Sequence, residues 1–152
     1  YFDRITRSEQ ILDEMCATLG GRAAEEIIYN KISTGALNDL EKVSKQAKAM
    51  VLIYGFNDKI GNVTYYDSAG EQTFNKPYSE DTAKKIDTEI KKIIETEYNR
   101  AKKILKKYKT ALTEIAEVLL KKEVIFKEDL EKVLGKRKWP AVEKININKF
   151  RK

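Results

Sequence analysis

Four polar side chains crowd the stretch STGALND: Ser33, Thr34, Asn38 and Asp39. An apolar stripe follows at once, formed by Leu40, Val43, Ala47, Met50, Val51 and Tyr54 at helical spacing. A helix that opens here needs one capping side chain. Ser33 or Thr34 can cap a helix beginning at Gly35, or Asn38 can cap one beginning at Asp39, with Glu41 three residues on. The surplus admits a second chemistry, in which Asp39 offers a carboxylate oxygen to a cation. A hydrolytic zinc site takes three protein ligands and leaves a fourth position to water, and an Asp on a rigid helix can be one of the three. In either case a carboxylate near a helix start meets a favourable dipole.

Little else in the chain could do chemistry unaided. It contains no His, which removes the commonest general base and zinc ligand. Cys16 is the lone cysteine and cannot form an internal disulfide; it falls on an apolar helical face and reads as a buried small hydrophobe. Gly20-Gly21 is followed by Arg22 and does not form a phosphate-binding loop. The residues therefore give a helical domain without a self-sufficient active site.

The chain has 152 residues and 41% hydrophobic and 36% charged side chains, which reads as one soluble globular domain. Its net charge of +6 is unevenly spread. Residues 1–75 carry 8 Lys and Arg against 11 Asp and Glu, while residues 76–152 carry 22 against 13. The excess is Lys interleaved with Glu on amphipathic helical patterns, without an aromatic stacking platform, so it reads as a solvated helix face and no nucleic-acid partner is expected. The longest apolar run, Ala49 to Gly55, is far shorter than the roughly 20 residues of a membrane span. The start at Tyr1 rather than Met leads us to expect a piece of a longer protein.

The elements that must position Asp39 are mostly helices, and the expected fold class is mainly α. Thr6-Arg7-Ser8-Glu9 has the form of a capping box, and Ile11, Met15 and Leu19 follow on one face. Gly20-Gly21 is expected to stop that helix, with a second, short helix from Arg22 to Asn30. The stripe from Leu40 predicts a helix ending at Gly55. At most a short β element is expected near residues 62–67, around Val63 to Tyr66. Ser79 is the expected cap of the longest helix, whose face runs Ile86, Ile90, Ile93, Glu97, Ala101, Ile104, Leu105 and Tyr108. Another helix from Thr110 should turn Leu112, Ile115, Ala116 and Leu119 inward, and residues 79–108 and 110–121 should pack as an antiparallel hairpin. A last helix from Lys127 should end at Gly135, and residues 140–152 read as a loose tail.

Three motifs go further: Leu19-Gly20-Gly21-Arg22-Ala23-Ala24-Glu25-Glu26, then Ser33-Thr34-Gly35-Ala36 with Asn38-Asp39-Leu40, then Tyr54-Gly55. Together with KPYSEDTAKKIDTEIKKIIETEYNRAKKIL and VIFKEDLEKVLGKRKW they strongly resemble the peptidase domain of the FtsH family, membrane-anchored ATP-dependent zinc metalloproteases. The resemblance implies that residues 1–139 are the C-terminal portion of such a domain. It implies that Asp39 is the third zinc ligand, beside two histidines of an HExxH helix that this chain lacks. Thr34 and Asn38 would then support the ligand or cap its helix, and Glu25 or Glu26 would orient a histidine; read from the residues alone, these two acids are surface or helix-pairing charges. The family's ATPase domain, where ATP binds, and its membrane segments are also missing. The parent would cleave protein substrates as a hexamer, with its peptidase domain in a soluble compartment beside a bacterial, mitochondrial or plastid membrane. The alternative is a catalytically inactive helical oligomerisation module.

Overall fold

The computed structural model describes residues 5–65 and 76–138. They form five α-helices, with no strand among the described residues. The chain divides into two units, Tyr1–Lys107 and Tyr108–Lys152.

The first unit holds three helices that all touch one another: α1 (Ser8–Tyr29), α2 (Leu37–Leu52) and α3 (Glu80–Lys107). The core lies where they meet. Met15 and Leu19 of α1 and Val43, Ala47 and Met50 of α2 are buried together, with Ile90, Ile93, Ile94 and Tyr98 of α3 laid against them. A second cluster joins Cys16, Ala23 and Ala101, with Tyr98 and Leu105 packed on it. Full burial of a side chain such as Leu19 or Val43 contributes about 1.5–3 kcal/mol. The expected inward stripe of α2 is therefore present from Leu40 to Val51, packed by α1 and α3, while Tyr54 lies beyond the helix end and is exposed.

The start of α1 falls one residue later than Thr6-Arg7-Ser8-Glu9 suggests. Arg7 occupies the cap position and donates its backbone N–H to Gln10 Oε1 at 2.9 Å. More consequentially, Gly20-Gly21 does not stop the helix. α1 runs on to Tyr29 and ends at Asn30, whose left-handed φ of 52° lets its N–H reach the Glu26 carbonyl at 3.0 Å. The reason is packing. Met15, Leu19 and Ala23 recur every four residues and are all buried, so breaking the helix at Gly20 would withdraw Ala23 from the core. That burial outweighs the roughly 1 kcal/mol a mid-helix glycine costs relative to Ala.

α2 closes through Gly55, φ 63°, and Phe56 N–H donates back to the Met50 carbonyl at 3.0 Å. Residues 56–65 then form a loop tied to α2 by Tyr65 N–H donating to the Leu52 carbonyl at 2.7 Å. The β-prone run at Val63 to Tyr65 has no strand to pair with among the described residues, and Tyr66 lies outside them. α3 begins as its sequence requires. Ser79 Oγ accepts the Thr82 N–H at 3.2 Å, and Glu80 and Asp81 occupy the first turn. Its apolar face contains two buried acids. Glu97 is met by Arg100 at 2.8 Å, and Arg100 also binds Asp13 of α1; Glu89 accepts from Asn57 Nδ2 at 2.9 Å and pairs with Lys59 at 3.3 Å.

The expected hairpin of residues 79–108 on 110–121 would join helices that belong to different units, each with pairings of its own. α3 finds its partners in α1 and α2, while α4 (Lys109–Lys122) pairs with α5 (Lys127–Leu134) in the second unit. No residue of α4 is fully buried: of its expected inward stripe Leu112 and Ile115 are half-buried, while Ala116 and Leu119 are exposed. A pair of short helices holds too little apolar surface to bury one face completely. The pair is fixed by a polar contact: Asp129 accepts from Lys122 Nζ at 2.6 Å and from the Phe126 N–H at 3.1 Å. Gly135, φ 78°, ends α5 as expected. Trp139 and the expected tail at 140–152 lie outside the described residues.

The reading of α1 can be tested directly. A Cβ added at Gly20 or Gly21 would meet nothing within 4 Å. Gly21→Ala should therefore stabilise the chain by about 0.5–1 kcal/mol, seen as a higher urea midpoint at unchanged slope. A lower midpoint would mean that the helix does not run through this point.

Candidate functional site

The polar cluster divides sharply in the structure. Ser33 alone caps. It sits in extended conformation before a single 3-10 turn, Thr34–Ala36, and its Oγ accepts the Gly35 N–H at 3.2 Å. A Cβ on Gly35 would stand 3.3 Å from that oxygen, so a side chain there would crowd the cap. Thr34 contributes its backbone carbonyl, which accepts the Leu37 N–H. Neither Thr34 nor Asn38 acts as a cap: α2 starts from Ala36, which has no side chain able to do so.

Ser33 is itself held. Its N–H donates to Glu25 Oε2 at 3.0 Å and its hydroxyl to Glu25 Oε1 at 2.9 Å. Both bonds reach from the loop back to the end of α1. The backbone and hydroxyl bonds from Ser33 hold the Glu25 carboxyl below the usual carboxylate range. Ala36 is buried and anchors the other side of the turn.

Asp39 follows in the first turn of α2 and is exposed. Four residues on, Val43 is fully buried, so Asp39 rides on the core-facing side of its helix at the core's edge. Among the described residues, no hydrogen bond or ion pair engages the side chains of Thr34, Asn38 or Asp39. The opening surplus thus resolves into one working cap and three unengaged polar groups on a braced turn.

The adjacent acids Glu25 and Glu26 have different partners, because neighbours on a helix point about 100° apart. Glu25 faces the loop. Glu26 faces α3, where it accepts the Tyr98 hydroxyl and lies 3.5 Å from Lys102 Nζ. That ammonium also sits 4.7 Å from the centre of the Tyr98 ring. Burial first, and the Glu26 carboxylate second, push the Tyr98 phenol up to about 12, while the Tyr98 bond holds Glu26 low. Glu26 thus makes a contact from α1 to α3, the kind that the helix-pairing option for these acids describes. The apolar stripe of α3 does not include Tyr98, because Glu97 holds the stripe position; an aromatic one residue off the stripe is the sequence signal for it.

Asp39 is the only candidate ligand that the turn presents. No group of three or more His, Cys, Asp or Glu able to hold a metal occurs among the described residues, and the chain has no His. Three protein ligands are needed for a catalytic zinc. The donors among the described residues fit one position of such a site and not the whole of it.

Residues 3–133 match Peptidase family M41, and the chain belongs to that family. It is similar to "ATP-dependent zinc metalloprotease FtsH" of Parabacteroides distasonis, 59% identical over 137 residues that cover 90% of this chain and 20% of the relative. It is also similar to "ATP-dependent zinc metalloprotease FTSH 3, mitochondrial" of Arabidopsis thaliana, 44% identical over 94% of this chain and 18% of that protein. Mouse "Mitochondrial inner membrane m-AAA protease component AFG3L2" is 41% identical over 93% of this chain and 18% of its own length. The chain spans about a fifth of the length of these curated relatives.

The Glu25–Ser33 bond gives a pH dependence of known sign. A carboxylate whose pKa is lowered on folding adds stability that is present above its unfolded pKa and is lost as pH falls through the folded one. Exchange protection of the Ser33 amide should hold from pH 7 to about 5 and then fall away below the ordinary Glu value of ~4.3. In Glu25→Gln the protection should be weaker and flat with pH. A wild-type profile in that variant would show that the Glu25 carboxylate does not hold the turn.

Proposed function

We propose that this chain is the C-terminal portion of the peptidase domain of a longer, membrane-anchored, ATP-dependent zinc metalloendopeptidase, and that Asp39 is its contribution to the metal. The single observation carrying this reading is Asp39 itself, a carboxylate in the first turn of α2 with no partner among the described residues, on a turn braced by Glu25. A carboxylate that only capped or paired would be engaged. The family match and the names of the relatives supply the rest of the reading.

In this proposal two histidines of an HExxH helix elsewhere in the protein complete the ligand set. Held by these residues, a zinc ion would supply a bound water with its pKa lowered toward ~7 and a Lewis acid for the scissile carbonyl. The residues of this chain orient and hold: Asp39 by its place on α2, Glu25 and Ser33 by fixing the turn before it, and Thr34 and Asn38 by supporting the ligand carboxylate. ATP binds in a separate ATPase domain, and unfolded or membrane proteins are the substrates. The peptidase domains assemble as a hexamer on the soluble side of the membrane, to which other segments anchor the protein. None of the described helices is long and apolar enough to cross a membrane.

Two outcomes follow. The 152-residue chain alone should cleave no casein-like substrate, because one Asp cannot hold a catalytic zinc. In the longer protein, Asp39→Ala and Asp39→Asn should each abolish proteolysis and lower zinc content. Folding stability should change by no more than about 1 kcal/mol, since only the carboxylate's interaction with the helix N-terminus is lost. Normal zinc content and activity in either variant would reject the ligand assignment and leave Asp39 a carboxylate that serves only its helix start.

A further inference from the structure

We propose that Tyr98 and Lys102 of α3 are positioning residues for the turn that carries Asp39, acting through Glu26. For its consequence at the metal this rests on the ligand reading of Asp39; the bracing of the turn stands without it.

Residue Glu26 is a junction of three connections. Its carboxylate accepts the Tyr98 hydroxyl and pairs with Lys102 at 3.5 Å. Its carbonyl accepts the Asn30 N–H at 3.0 Å, the bond that ends α1 and turns the chain toward Ser33. Its neighbour Glu25 takes both bonds from Ser33. Whatever fixes Glu26 therefore fixes the last turn of α1, and with it the two points from which the 31–36 segment hangs.

Tyr98 is suited to that task because the core fixes its ring. It packs against both apolar clusters of the first unit. The ring cannot shift without disturbing Met15, Leu19 or Ala23, so its hydroxyl is a stationary donor. Lys102 adds a charge on the same carboxylate while resting over the same ring at 4.7 Å. Two side chains one helical turn apart on α3 thus clamp one acid of α1. α1 without this clamp would still pack through its stripe, but its final turn, Glu26 to Tyr29, contains no buried residue and would be free to fray.

The test uses amide hydrogen exchange on this chain at neutral pH. Tyr98→Phe keeps the ring and removes the hydroxyl, so the fold should survive. Loss of one hydrogen bond should raise exchange at Ser33 and Gly35 by roughly fivefold while leaving Val43 and Val51 unchanged. Lys102→Met should act in the same direction, and Lys102→Arg, which keeps charge and stacking, should restore wild-type rates. Asn57→Ala, which cuts a comparable tie from a loop to α3 at Glu89, should leave Ser33 and Gly35 unmoved. Wild-type exchange at Ser33 and Gly35 in both Tyr98→Phe and Lys102→Met would overturn the proposal, as would equal loosening by Asn57→Ala. The second arm measures zinc affinity of the longer protein by chelator competition. Faster exchange with weakened zinc supports both readings; faster exchange with unchanged zinc upholds the bracing and rejects Asp39 as a ligand.

Discussion

The first unit depends on α1 remaining one helix through Gly20-Gly21. Met15, Leu19 and Ala23 form a single buried row that spans the glycine pair. Because the row is continuous, the far end of α1 carries a defined rotation, and that rotation sends Glu26 to α3 and Glu25 to Ser33. A break at the glycines would uncouple the acids from the core. The glycines are thus tolerated by packing, at a cost that the neighbouring burial offsets.

From this follows a division of labour between neighbouring residues. The core fixes Tyr98, Tyr98 and Lys102 fix Glu26, and Glu25 fixes Ser33. Ser33 caps the short 3-10 turn from which α2 and Asp39 start. After the packing of Tyr98 on the core, each step is a hydrogen bond or ion pair, so an exposed carboxylate is tied to half-buried side chains some distance from it. Ligand-bearing carboxylates need such support, since a metal site loosens when its ligands are held only by their own rotamers.

Much of this was legible in the sequence, and the omissions have physical causes. The α2 stripe, the Ser79 cap and the Gly135 stop were readable because each is decided within a turn or two of chain. The cluster at Ser33 to Asp39 was readable as unusual, and its resemblance to a peptidase family pointed to Asp39. The continuation of α1 was not readable, because local glycine propensity points the other way and only the three-helix core reverses it. The pairing of α4 with α5 was hidden for a similar reason: the tie between Asp129 and Lys122 is a side-chain contact across the connecting turn, which helical periodicity does not report. The clamp on Glu26 joins residues 72 apart in sequence, a separation that no periodicity reports.

The central claim is that the carboxylate of Asp39 is a metal ligand rather than a bystander near a helix start. Its most direct measurement is a crystal structure of the zinc-loaded longer protein with data collected across the zinc absorption edge. The account places an Asp39 carboxylate oxygen about 2.0–2.2 Å from the anomalous peak, with Ser33 still bonded to Glu25. A zinc peak fully coordinated by other residues, with Asp39 turned to solvent or to its own helix N–H groups, would contradict it.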